Sequence, residues 1–252
     1  MTDTLDTLLR WTAGVLEPCA RPSRAPLLVA DSWLVDEGRQ RAAALHWARF
    51  ERSCLAAGAS AEELRGFRAA AEAALPRAGR WFPRVQLTSE GLALRTRPAP
   101  ALQREARVLA GPPGDPRRRP RRKGPDLELL AGLRATARER GADELLLRAR
   151  DGTLLEGALS SLLWWEGDAL CTTPSEHTLP GVTRALLLEI ARARGVELRV
   201  RAPQPEELAG AEVWLTSALH GIRVVSAWVA PALDAGAGTR AAHWREELER
   251  DA

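Results

Sequence analysis

Lysine is almost absent from this chain of 252 residues: Lys123 is the single lysine among 36 basic side chains, and the others are arginine. A lysine amine can lose its proton and attack a carbonyl carbon to form a Schiff base, whereas a guanidinium stays protonated. The one exception to the arginine bias therefore predicts that position 123 needs an amine. The alternative interpretation is a lysine retained by chance in a solvated loop.

Tyrosine is missing altogether, although there are nine tryptophans and three phenylalanines. No phenolic hydroxyl can therefore act as a catalytic acid, base or hydrogen-bond donor in this protein. Cysteine occurs three times, as Cys19, Cys54 and Cys171, and this spacing fits neither a disulfide framework nor a zinc site. We therefore expect reduced thiols, no metal site and a cytoplasmic location.

Long apolar runs are also lacking, because no segment approaches 18 uninterrupted apolar residues and the first residues carry acidic side chains. We expect a soluble, unexported protein that does not enter a membrane. The net charge is only +3, and the basic excess comes largely from the arginines just before Lys123. Composition therefore predicts no nucleic-acid-binding surface; the alternative, an arginine loop that binds acidic partners, lacks interleaved aromatic residues.

A segment rich in proline, glycine and arginine, GPPGDPRRRPRR at 111–122, is the best candidate for a domain boundary. Such a segment can neither continue a helix nor occupy a central strand. We predict a small α+β domain over 1–116, an arginine-rich interdomain loop over 117–122 and a large α+β domain over 123–252.

Hydrophobic periodicity predicts the elements on either side of this boundary. A short helix is expected over 1–18, where Leu5, Leu8, Leu9 and Val15 have helical spacing, followed by a strand, two helices and further strands. Ser60 is the expected N-cap of the second of those helices. Beyond the boundary we expect a helix, two strand pairs, a second helix and more strands.

Three segments of the predicted large domain follow one another in an order that suggests a catalytic site. Lys123 precedes a predicted helix, Glu156 ends the segment DGTLLEG, and LPGVTR at 179–184 begins another helix. Free backbone amides at a helix N-terminus suit a phosphate. Taken singly, Glu156 could be a solvated glutamate at a strand end, and LPGVTR could be an ordinary start of a helix.

The order and spacing of these segments resemble those of the fold-type IV pyridoxal-phosphate enzymes, the family of class IV aminotransferases and aminodeoxychorismate lyases. The resemblance implies a two-domain α+β fold like that of D-amino-acid aminotransferase, with pyridoxal 5'-phosphate at the domain interface. It implies that Lys123 forms the Schiff base and that Glu156 pairs with the pyridine nitrogen. It further implies a homodimer that acts on a small-molecule amine.

The resemblance assigns the remaining cofactor contacts to three places. The amides of Val182 and Thr183, with the Thr183 hydroxyl, would hold the phosphate. Arg49 in LHWARF matches the family's phosphate-binding arginine, whose fork of donors suits that group. Ser217 and Ala218 lie in TSALHG, which corresponds to the last phosphate-side turn. Other residues that the resemblance brings in or near the cleft, each with a structural role as the alternative, are Asp31, Trp33, His46, Arg95, Arg97 and His220.

The turn Ser217-Ala218-Leu219 resembles the Asn-Ala-Leu of the lyases, whereas branched-chain and D-amino-acid aminotransferases tend to carry threonine where Ala218 stands. Together with the compact length and the lack of tyrosine, it favours an aminodeoxychorismate lyase that releases pyruvate and 4-aminobenzoate. A class IV aminotransferase of the branched-chain or D-amino-acid type is the alternative. A catalytically silent relative is a third hypothesis, because PLLVADSWLV lacks the family's Gly-Asp-Gly turn.

Overall fold

The computed structural model describes residues 6–19 and 25–250, which form two compact units. The first unit extends to Ala101 and includes Arg122–Pro125, whereas the second comprises Leu102–Arg121 and continues from Asp126. This grouping differs from the expected division at 116, 117–122 and 123. The strand over 105–113 pairs with strands of the second unit, and the residues around Lys123 bind a strand of the first.

The first unit contains eight strands and two helices within its described residues. Their bounds are β1 Thr7–Thr12, β2 Val15–Pro18, β3 Leu27–Ser32, β4 Val35–Asp36, β5 Arg39–Gln40, α1 Ala43–Leu55, α2 Ala61–Ala74, β6 Arg80–Trp81, β7 Arg84–Thr88 and β8 Gly91–Thr96. The larger sheet has the strand order β2-β1-β8-β7-β3, and the smaller one has the order β5-β4-β6. Ser60 caps α2 as predicted, because its hydroxyl accepts the N–H groups of Glu62 and Glu63.

The helix expected over 1–18 is wrong for the described residues, which form the β1–β2 hairpin; Leu5 lies outside them. Ala13 and Gly14 make a two-residue turn with φ angles of 48° and 88°, and Thr12 pairs with Val15 across it. Two positive φ angles match the twist of paired strands, so this turn favours a hairpin over a helix. Pairing of β1 with β8 then satisfies the backbone groups.

One face of the larger sheet packs against α1 and α2 around aromatic side chains. Trp47 and Phe50 of α1 contact Phe67 of α2 with ring centroids 6.1 and 6.3 Å apart. Val85 and Leu94 of the sheet are fully buried. The first unit therefore has its own hydrophobic core, built from a sheet and two helices.

A charged cluster lies inside this core. Asp31 of β3 is fully buried and accepts hydrogen bonds from Arg49 Nε and Nη2, each at 2.7 Å, while His46 Nδ1 lies 2.8 Å from its carboxylate. Burial works to raise the pKa of Asp31, but Arg49 and the hydrogen bond with His46 hold that pKa below its ordinary value. The sequence predicted neither this ion pair nor the need for a carboxylate at position 31.

Residues 122–125 attach to the open edge of β3. The Ala30 N–H donates a hydrogen bond to the Lys123 carbonyl oxygen at 2.8 Å. Gly124 has a φ of 137°, and a Cβ there would lie 2.8 Å from Val29 Cα. Only glycine fits this approach of two backbones, so Gly124 determines how Lys123 is held.

The second unit contains eight strands and three α-helices within its described residues. Their bounds are β9 Glu105–Pro113, α3 Leu127–Glu139, β10 Glu144–Arg148, β11 Leu154–Gly157, β12 Ser161–Glu166, β13 Ala169–Thr172, α4 Val182–Ala193, β14 Leu198–Val200, β15 Val213–Ser217, β16 Gly221–Ala230 and α5 Ala241–Arg250. These strands form one mixed sheet in the order β11-β10-β9-β16-β15-β12-β13-β14. The α+β fold class is thus confirmed.

The sheet of the second unit buries apolar side chains on both faces. Trp164 belongs to a core cluster with Leu162 and Val213, whereas Trp165 packs against Trp214 and Trp244 with centroids 5.6 and 5.4 Å apart. Neighbouring residues of a strand face opposite sides, and both tryptophans are core residues. None of the helices in the described part of the chain is both long and apolar enough to span a bilayer.

We expect Asp31→Asn to lower the free energy of unfolding by about 3–5 kcal/mol, because Arg49 would remain buried without its counter-ion. Since the pKa of Asp31 is lower in the folded state, its contribution is complete above the unfolded value of about 4 and is lost as the pH falls toward the folded value. Urea unfolding between pH 2 and 7 measures this. The control Asp36→Asn, which removes an exposed pair with Arg80, should cost about 0–1 kcal/mol.

Gly124→Ala should destabilise the protein by roughly 1–3 kcal/mol, because the new Cβ would press against the β3 backbone. The matched control is Gly132→Ala, within α3, where an added Cβ meets nothing within 4 Å. That change should instead stabilise the protein by roughly 0.5–1 kcal/mol, as alanine favours a helix. Equal effects of the two substitutions in thermal unfolding would contradict this account of Gly124.

Candidate active site

Glu156, one of the predicted site residues, is buried within β11. Its Oε1 accepts a hydrogen bond from the Leu179 N–H at 2.8 Å and forms an ion pair with Arg117 Nη1. Both described hydrogen bonds to this carboxylate end on Oε1. Glu156 is therefore a held, internal carboxylate, and the alternative of a solvated glutamate on a hairpin is wrong.

Arg117 is a site residue that the sequence does not single out, because it is one member of a run of arginines. Its side chain is only 4% exposed. Asp115 accepts hydrogen bonds from Nε and Nη2 of this guanidinium, each at 2.9 Å, and the His177 carbonyl accepts a further one from Nη2 at 2.9 Å. The available signal in the sequence was Asp115, which lies two residues before Arg117. None of the other arginines of the run has an aspartate at that spacing.

The electrostatics of this pair depend on burial and on the arginine. Burial raises the pKa of Glu156 above its ordinary value, while the Arg117 guanidinium acts against that rise. The carboxylates of Asp115 and Glu156 raise the pKa of Arg117, although burial opposes them. Arg117 thus keeps its charge and favours the ionised form of the buried glutamate.

The segment LPGVTR forms the start of α4, as predicted. Gly181 is the N-cap, and no described side chain caps this end of the helix. First-turn N–H groups have no acceptor within a helix, so those of Val182 and Thr183 can bind an anion. A Cβ at position 181 would lie 2.4 Å from Ser161 Oγ, which explains why glycine stands there.

Ser217 and Ala218 lie where β15 ends. Ser161 pairs with Thr216 across the sheet, and the Ser217 hydroxyl accepts the His220 N–H at 3.3 Å, which closes the turn. Ser161 therefore has the start of α4 on one side and the end of β15 on the other. Through these contacts the second unit brings Val182, Thr183, Ser217 and Ala218 to one edge of its sheet, with Glu156 joined to them through Leu179.

Lys123 and Arg49 belong to the first unit. The Lys123 backbone binds Ala30, the residue before Asp31, and Asp31 holds Arg49 through two hydrogen bonds. Burial lowers the pKa of His46, and the positive charges of Arg49 and Lys123 add to the effect. The buried cluster around Asp31 thus lies beside the segment that carries the lysine.

Comparison with known proteins gives a family match. The family model for amino-transferase class IV matches residues 28–228, which is most of the chain. No curated protein sequence matches the chain significantly.

Several solved structures share the fold. A hypothetical aminotransferase from Mycobacterium tuberculosis in its PLP-bound form is 20% identical, with 98% of each chain covered and a TM-score of 0.82. A putative 4-amino-4-deoxychorismate lyase from Legionella pneumophila is 18% identical, with 89% of this chain and 91% of that one covered and a TM-score of 0.74. An aminotransferase from Brucella abortus bound to the co-factor PLP is 18% identical, with 97% of this chain and 99% of that one covered and a TM-score of 0.78.

The family match confirms the resemblance drawn from Lys123, Glu156 and LPGVTR. It also confirms the expectation of an enzyme, an aminotransferase or lyase, that uses pyridoxal 5'-phosphate. The chain is therefore a member of the class IV aminotransferase family of pyridoxal-phosphate enzymes.

Proposed function

We propose that this protein is a lyase of the aminodeoxychorismate type, acting in the cytoplasm as a homodimer, that releases pyruvate and 4-aminobenzoate. The observation that carries the proposal is the turn Ser217-Ala218-Leu219 at the end of β15, beside the start of α4. Ala218 offers no hydroxyl there, and the chain has no tyrosine that could supply one. The structural likeness to the Legionella pneumophila protein supports the same interpretation, and the free cysteines fit a reducing compartment.

The residues present fit pyridoxal phosphate. Gly181 has no side chain, and a Cβ there would lie 2.4 Å from Ser161 Oγ. The next two residues, Val182 and Thr183, have backbone amides that no described side chain caps. Those amides and the positive end of the α4 dipole suit the phosphate. The Glu156 carboxylate uses Oε1 for Arg117 and Leu179, so Oε2 is the oxygen that would accept a hydrogen bond from the ring nitrogen.

When bound, the cofactor supplies an electron sink for the charge that develops on the substrate carbon. The chain's own residues do the rest. Lys123 Nζ removes the proton beside the substrate nitrogen as a general base and returns a proton as a general acid. Glu156, whose ionised form Arg117 favours against the effect of burial, would hold a proton on the ring nitrogen. Arg49, fixed by Asp31, adds positive charge for the phosphate.

An aminotransferase of the branched-chain or D-amino-acid type is the second candidate. It would use the same residues, with release of a keto acid in place of pyruvate and 4-aminobenzoate. The α-ketoglutarate- and PMP-bound form of the Mycobacterium tuberculosis protein supports it, with a TM-score of 0.83 and coverage of 97% of this chain. A catalytically silent relative is disfavoured, because the resemblance matches the single lysine of the chain to the family's Schiff-base position.

Purified protein incubated with aminodeoxychorismate should release pyruvate, which lactate dehydrogenase and NADH detect. A parallel panel of branched-chain and D-amino acids with α-ketoglutarate tests the second candidate. Pyruvate without amino transfer supports the lyase, and transfer without pyruvate from aminodeoxychorismate overturns it in favour of the aminotransferase. Sedimentation equilibrium of the same sample tests the homodimer.

Lys123→Arg should abolish the covalent adduct that borohydride traps with pyridoxal phosphate, because a guanidinium cannot form it, and should lower turnover by roughly a thousandfold or more. Peptide mapping of the reduced wild-type protein should locate the label on Lys123. The control Arg118→Gln removes an exposed charge from the same run and should leave the label in place. Labelling of the amino terminus alone would contradict the assignment and favour the silent relative.

Glu156→Gln should reduce turnover by about a hundredfold, because a neutral amide cannot hold a proton on the ring nitrogen. The matched control is Glu189→Gln on the exposed side of α4, which should leave turnover unchanged. The Lys123 adduct should still form in both variants, since Glu156 acts on the ring and not on the lysine. Unchanged turnover of Glu156→Gln would show that Glu156 is a structural partner of Arg117 alone.

A further inference from the structure

Nine described residues, 173–181, connect β13 to α4 without forming a helix or a strand. The tip of this loop, residues 175–177, is exposed, and the loop ends at Gly181, the N-cap of α4. A loop without regular backbone pairing moves unless other contacts hold it. Three consecutive residues of the loop, 177–179, make such contacts with charged side chains, and they are called the clamped segment below.

Arg117 and Glu156 hold the two ends of the clamped segment. The His177 carbonyl accepts a hydrogen bond from Arg117 Nη2 at 2.9 Å, and Arg117 lies 60 positions earlier in the chain. The Leu179 N–H donates a hydrogen bond to Glu156 Oε1 at 2.8 Å. Arg117 Nη1 forms an ion pair with the same Oε1. One guanidinium is therefore bonded both to the first residue of the segment and to the carboxylate that binds its last residue.

The middle residue of the clamped segment binds a third charged group. The Thr178 hydroxyl accepts a hydrogen bond from Arg184 Nη1 at 3.2 Å and donates one to the Pro174 carbonyl at 3.1 Å. Arg184 is buried in the first turn of α4. Burial works to raise the pKa of Glu156, and the charges of Arg117 and Arg184 act against it. The three charged groups that hold the segment therefore also stabilise one another.

The clamped segment ends two residues before the N-cap of α4. The Gly181 N–H donates a hydrogen bond to the Leu179 carbonyl at 2.7 Å, so the backbone of Leu179 is bonded to Glu156 on one side and to Gly181 on the other. A shift of Leu179 would therefore turn the amides of Val182 and Thr183, which follow the N-cap. An anion site made of backbone amides needs these groups to point the same way.

We propose that Arg117 is a positioning residue for the phosphate-binding turn at the start of α4. Its bonds to Glu156 and His177 fix the clamped segment. That segment in turn fixes the amides of Val182 and Thr183. Loss of Arg117 therefore weakens the binding of a phosphate group that other residues hold. This inference rests on the proposed assignment of those amides to the cofactor phosphate.

Pyridoxamine 5'-phosphate and pyridoxamine test this by isothermal titration into the cofactor-free protein. The two amines share the ring and differ in the phosphate, and neither carries an aldehyde that could react with Lys123. The ratio of their dissociation constants therefore measures the binding of the phosphate, because the contacts of Glu156 with the ring cancel. We expect Arg117→Met to lower the preference for the phosphorylated amine about tenfold.

Three further variants separate the positioning role from the charge of the guanidinium. Arg117→Lys keeps a positive charge beside Glu156 but has one nitrogen where the guanidinium uses three, so it should lose the preference as Arg117→Met does. Thr178→Val removes the middle contact of the clamped segment and should lower the preference about threefold. The control Arg118→Gln, an exposed change in the same run, should leave both dissociation constants unchanged.

An unchanged ratio in Arg117→Met, with both amines weakened alike, would overturn the inference and leave Arg117 as a partner of Glu156 alone. A full preference in Arg117→Lys would also overturn it, since charge would then suffice. If Arg117→Met does not fold, Arg117→Lys and Thr178→Val decide by the same ratio. Failure of the proposed function is a separate result: it would appear as a missing label on Lys123, whereas failure of this inference would leave that label intact.

Discussion

The close approach of residues 122–125 to the edge of β3 is the constraint on which the rest of the site depends. Two features fix where the single lysine stands: the hydrogen bond from the Ala30 N–H to the Lys123 carbonyl, and the lack of a Cβ at Gly124, which lets the two backbones approach. Both are backbone contacts, and neither uses the lysine side chain. The backbone of residues 122–125 therefore sets the position from which the lysine side chain extends.

All the basic side chains counted with Lys123 are arginines, and several of these arginines form buried pairs with carboxylates. Asp31 holds Arg49 in the first unit, and Glu156 holds Arg117 in the second. A third pair joins the fully buried Glu144 to Arg223 at 3.1 Å, with Ser160 also donating to the carboxylate. Removing either member of such a pair leaves a buried charge, so these arginines fix the geometry around them and are not interchangeable with lysine.

The sequence predicted features that depend on local chemistry. Ser60 caps α2 and α4 begins at LPGVTR, because capping and turns are properties of neighbouring residues. The prediction of a helix over 1–18 is wrong for the described residues, because the Ala-Gly turn favours a hairpin more strongly than the short leucine pattern favours a helix.

Contacts between residues far apart in the chain could not be predicted from the sequence pattern. The sequence places Arg117 within a run of arginines, and only the folded chain brings it to Glu156, 39 residues away. The attachment of residues 122–125 to β3 likewise depends on a partner nearly a hundred positions earlier, so the expected division at 116 could not anticipate it.

The attachment at β3 also affects synthesis of the chain. The strands of the larger first-unit sheet are complete once residue 96 has been made, yet β3 remains an open edge until residues 122–125 leave the ribosome. At ordinary translation speeds this takes roughly one to six seconds. During that interval the exposed edge strand can pair with other chains. Lys123 and Gly124 cover this edge when they reach β3, and the interval then ends. The segment that carries the lysine therefore also protects the nascent sheet.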